Sequence, residues 1–99
     1  MPREHQARIT WSAAQVAHGL PANAQTIDPS WFAGDTPQPI DGWSLICRFE
    51  SPPSDQGNPS AAHVCFYVPE APHERLKPGI SLRLFECATQ AYATVDILD

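Results

Sequence analysis

Leu76-Lys77-Pro78-Gly79-Ile80-Ser81-Leu82-Arg83-Leu84-Phe85-Glu86, with Ala91-Tyr92-Ala93-Thr94-Val95-Asp96-Ile97-Leu98 shortly after it, is the stretch whose reading decides the fold. Pro78-Gly79 reads as a turn that launches a strand over residues 80–85. A short gap follows, and residues 91–98 form a second strand that closes the chain. Immediately upstream, residues 61–68 alternate so that Ala62, Val64, Phe66 and Val68 share one face by the two-residue period of a strand. Asp41-Gly42 is a turn signal ahead of a further strand over residues 43–49, and the β-formers of residues 7–12 read as the first strand.

The segments between these strands are short and broken. Eleven prolines in 99 residues are about twice the ordinary share and favour many short elements over long helices. Residues 13–26 contain enough alanine for a helix, but Gly19-Leu20-Pro21 interrupts them and the apolar spacing fits 3.6 poorly, so a loop with at most one helical turn is expected. Residues 27–41 carry Pro29, Pro37 and Pro39 and read as irregular chain with at best a short edge strand. Residues 51–60 hold almost every loop-forming residue type and read as a mobile, hairpin-like connection. Residues 69–78 leave room for one helical turn around 72–76. The expectation is a single all-β domain over residues 1–99: a small closed or nearly closed antiparallel barrel of about six strands.

Composition excludes more functions than it suggests. A net charge of -5 disfavours nucleic acid, because Arg3, Arg8, Arg48, Arg75, Lys77 and Arg83 form no run able to displace counterions from a phosphate backbone. No stretch approaches the length of a membrane span, and Met1 to Gln6 lead into no apolar run of the kind a signal peptide has. Three cysteines without framework spacing suit a reducing compartment, so the cytoplasm is expected.

No residue pattern commits to a chemistry. His63 and Cys65 share a strand face, but zinc-ligand spacing is absent, and whether Cys47 could join them depends on register. Cys87 follows Glu86, whose carboxylate would raise rather than lower a thiol's pKa, while Cys47 and Cys65 have apolar neighbours. No nucleophile elbow or phosphate-binding loop occurs, and Glu70 and Glu74 read as solvated surface. No metal and no cofactor are expected. Trp11, Trp43, Phe49, Phe66 and Phe85 read as core or barrel lining. Trp31 and Phe32, in the proline-rich segment, either plug a barrel end, the preferred reading, or mark a partner surface; with His18 they are the candidate partner-binding residues.

The order Pro78-Gly79, an apolar strand, Glu86-Cys87, then Ala93-Thr94-Val95 running into Ile97-Leu98 resembles the closing strands of the C-terminal β-barrel domain of translation elongation factor Tu, and of small freestanding bacterial proteins built on that barrel. Upstream, Ala17-His18-Gly19-Leu20-Pro21 stands where that family has a glycine- and arginine-rich loop, and Asp28-Pro29-Ser30-Trp31-Phe32 replaces a basic segment. The resemblance implies a barrel that binds partners rather than one that performs catalysis. The lost basic positions argue against tRNA, and without a GTPase domain GTP is not bound. Cys87 in the place of a family glycine implies a relaxed turn. The resulting expectation is a non-enzymatic interaction module whose partner is another protein. The alternatives are a translation-associated RNA-binding protein and a small hydrolase working through His63 and Cys65.

Overall fold

The structure, a computed structural model, describes residues 3–34, 42–87 and 90–99. Its strands are β1 (His5–Trp11), β2 (Gln25–Phe32), β3 (Trp43–Arg48), β4 (Ser60–Phe66), β5 (Ser81–Cys87) and β6 (Gln90–Ile97). They close in the order β1-β4-β3-β2-β5-β6, and β6 returns to β1, so all six pairings are antiparallel. The all-β closed barrel expected from the strand pattern is the fold observed. Closure removes most exposed strand edges, and it makes alternate residues of each strand line the interior. Ile9, Leu45, Val64, Leu82, Leu84 and Val95 are fully buried there.

The first half of the chain departs from the sequence expectation in two places. A helix, α1 (Ala13–His18), follows β1. Ser12 caps it by accepting a bond from the Gln15 N–H at 3.1 Å, and Gly19, at φ 121°, ends it. None of its residues is buried, so the apolar spacing that would announce a helix is missing. After it, residues 25–32 are not irregular chain but a strand of the barrel wall. Pro29 is tolerated because it sits where the ladder to one neighbour stops, as described below. Pro37, Pro39 and Asp41, expected in loop and turn, lie outside the described residues.

The segment at 51–60 is also corrected: it carries a helical turn, α2 (Pro53–Gln56), and is bonded to the barrel. The Asn58 side chain accepts from the Trp11 N–H at 2.8 Å and donates to the Trp11 carbonyl at 3.2 Å. Since Ile9 pairs with Ser60, Asn58 occupies the next register position across from Trp11, and its amide replaces a strand's backbone there. The Gln56 amide does the same on the other side of β4, donating to the Ala61 carbonyl at 3.0 Å and accepting from the Ala61 N–H at 2.8 Å. Polar residues that read as mobile loop are backbone surrogates. Pro53 is buried beside them.

The opposite end is closed by residues 67–80. Ala71 and Leu76 are buried, and a single turn of 3-10 helix at His73–Arg75 stands where one helical turn was expected. His73 meets the Phe66 ring edge-on at 5.8 Å, and the Arg75 guanidinium lies 3.7 Å over Phe32. Gly79, at φ 90°, supplies the positive φ of the turn into β5.

Candidate functional site

β2 is paired over Gln25 to Ser30 on one side and over only three residues on the other. Its register with β3 runs from Gln25 opposite Arg48 to Ser30 opposite Trp43. With β5 it covers only Ser30, Trp31 and Phe32, opposite Leu84, Arg83 and Leu82. The cause is local. The Ala33 N–H donates to the Ser81 carbonyl at 2.9 Å, so odd-numbered residues of β2 aim their N–H groups at β5. Pro29 is the odd residue at which pairing ends, and its nitrogen has no hydrogen to give. At the same level the β5–β6 register shifts between Leu84 and Phe85, with Tyr92 as the extra residue on β6. Beyond Pro29, the N–H and C=O of Ile27 and Gln25 face this gap, and no described residue bonds to them.

Beside the gap lies a groove of about 530 Å³, lined by Asp28, Pro29, Phe85 and Ala91 with Ser12, Gln15 and His18 of the α1 segment along its rim. Tyr92, stacked on Trp11 at 6.2 Å, forms its inner wall. The groove therefore brings polar and apolar side chains together next to a strand edge that no described residue pairs. A second groove, of about 430 Å³ and lined by residues including Gln56, Ala61 and His63, offers no such edge, because Gln56 already occupies the Ala61 backbone.

Of the three candidate residues, the groove includes His18, which is exposed at the end of α1. Phe32 lies in the core, meeting Phe66 edge-on at 5.9 Å. Trp31, its neighbour along β2, points to the outer face yet is 7% exposed. It packs edge-on against Phe85 at 4.5 Å and under Gly42, where an added Cβ would meet the indole at 2.7 Å. Phe85, expected in the core lining, is thus buried against Trp31 instead. Neither Trp31 nor Phe32 presents a free surface. Asp28 and the Ile27 backbone were missed by sequence reasoning; the signal for them was Pro29 inside a strand-like run.

The register also settles the cysteines. Cys47 pairs with Val64 and Cys65 with Ile46, so the two thiols lie on opposite faces of the wall. Both are free. Burial pushes the Cys47 thiol up to about 12, and the Asp28 charge adds to this. Partial burial and the Glu4 charge raise Cys65 as well. His63 shares the outer face with Cys65, as its spacing requires, but neither thiol is held in the ionised form that nucleophilic attack needs. Among the described residues no three His, Cys, Asp or Glu side chains group closely enough to hold a metal, and no helix is long and apolar enough to cross a membrane. The Cys87 side chain lies outside the described ones.

No protein-family model matches this chain, and neither a curated protein nor a solved structure matches it.

Proposed function

We propose that this protein is a non-enzymatic binding module whose partner is another protein, taken as an extended segment along the open edge of β2. The observation that carries this reading is the early end of the β2–β5 ladder, which leaves the Ile27 N–H and C=O without a bond to any described residue, beside a groove. An extended peptide gains main-chain hydrogen bonds from such an edge, and side-chain specificity from the adjoining pocket. The resemblance to the elongation factor Tu barrel supports binding over catalysis. Four of the six basic side chains are already engaged, which supports a protein over an RNA as partner. Arg3, Arg8 and Arg48 stand beside Asp99, Asp96 and Glu4, and Arg75 is stacked on Phe32. The free thiols of Cys47 and Cys65 support a reducing compartment, the cytoplasm.

The test is selection of displayed random peptides on the wild-type protein, with binding re-measured on Ile27→Pro. That substitution removes a donor aimed at the gap and leaves the ladder to β3 intact. Peptides that bind the wild type and lose binding to the variant are expected. Peptides that bind both equally, or a selection that enriches nothing, would overturn the reading.

A further inference from the structure

We infer that Asp28 makes this groove selective for a partner segment carrying a Lys or Arg side chain at one defined position. The inference rests on the strand-edge reading above and names the chemistry that the edge selects.

Asp28 follows Ile27 along β2 and therefore points to the other face of the strand, the inner one, opposite Leu45. It is half-buried and lines the groove. The Asp28 carboxylate has neither a hydrogen bond nor an ion pair to any described residue. A carboxylate removed from part of its hydration shell without a partner is poorly satisfied, and a cation that enters the groove gains a charge-assisted hydrogen bond from it. The Asp28 carboxylate thus stands next to the stretch of β2 edge whose backbone groups bond to no described residue.

Strand geometry fixes the position. A peptide pairing antiparallel to β2 exchanges both backbone bonds with Ile27 through one residue. The next peptide residue then stands opposite Asp28, at a Cβ separation of about 5 Å, with its side chain on the inner face. That residue is the one expected to be basic. Its neighbours project outward, beside the half-exposed Ile27 side chain, and tolerate apolar residues.

The experiment is a positional-scanning library of short peptides, acetylated and amidated to remove terminal charge, applied to the wild type, to Asp28→Asn and to Ile27→Pro. Thermal unfolding checks that both variants are folded. The wild type should retain peptides with Lys or Arg fixed at a single position about tenfold or more over Ala there. Asp28→Asn should lose that preference while still retaining uncharged peptides, and Ile27→Pro should retain neither. Retention that depends on Ile27 but shows no basic preference, or a basic preference unchanged in Asp28→Asn, would overturn the inference and leave the edge reading standing. Equal retention by Ile27→Pro, or no retention by the wild type, would overturn the edge reading and this inference with it.

Discussion

Two strand ends at the same mouth of the barrel are finished in opposite ways. At β4 the ladder continues past its last backbone pair, because the Asn58 amide bonds Trp11 and the Gln56 amide bonds Ala61. At β2 the ladder to β5 stops at Pro29, and nothing described takes the place of the missing strand. The contrast separates a structural edge from an available one. Buried backbone groups must be paired, and the chain uses two side-chain amides where no ligand is to enter. Where no described residue bonds the Ile27 backbone, none pairs with the Asp28 carboxylate next to it either. An edge of this kind is a hazard for aggregation unless it is short, and here Pro29 limits it to two residues.

The contrast is most severely tested at Trp11, which holds the sealed edge in place. Its indole is buried, donates to the Ser60 hydroxyl at 3.0 Å and stacks on Tyr92. Trp11→Ala should lower the unfolding free energy by about 3–5 kcal/mol in urea titration. A loss under ~1 kcal/mol, within the range of ordinary surface changes, would mean that this end is not packed as described.

Next in size is an effect of pH. The Cys47 thiol ionises near 9.0 when unperturbed and near 12 in the barrel. Between those values the unfolded chain has given up a proton that the folded one keeps. Stability from this group is therefore full below pH 9.0 and is lost as the pH rises toward 12. The slope is about 1.4 kcal/mol per pH unit at most for one proton. Cys47→Ala should be less stable at neutral pH and fall less steeply above pH 9.0. Parallel curves for the two proteins would place the thiol in water rather than across from Thr26 and Val64.

The smallest expected effects sharpen the comparison itself. Asn58→Ala leaves the Trp11 N–H and C=O without their amide, and should cost about 1–3 kcal/mol. Ile27→Pro removes a donor that bonds to no described residue, and should change stability by no more than about 0.5 kcal/mol. Equal losses would erase the distinction between the sealed and the open edge.

The barrel was legible because residues 61–68, 80–85 and 91–98 alternate without interruption, and alternation on a buried face leaves one register. β2 was not, because Pro29 argues against a strand unless the open side of the ladder is known. α1 was illegible for a different reason: it buries nothing, so only Ser12 and Gly19 mark its ends. The ordering of 51–60 was hidden because Asn58 and Gln56 act through long-range bonds that composition does not encode. Of the candidate site, His18 was named, whereas Asp28 became visible once the gap beside it was.

Amide hydrogen exchange in the free protein tests the open edge most directly, by comparing the Ile27 and Trp11 backbone N–H groups in one experiment. The Trp11 N–H, bonded to Asn58, should be strongly protected, while the Ile27 N–H should exchange near the rate of an unstructured amide. An Ile27 N–H as slow as that of Trp11 would contradict the account, since it would mean that the β2 edge is already closed.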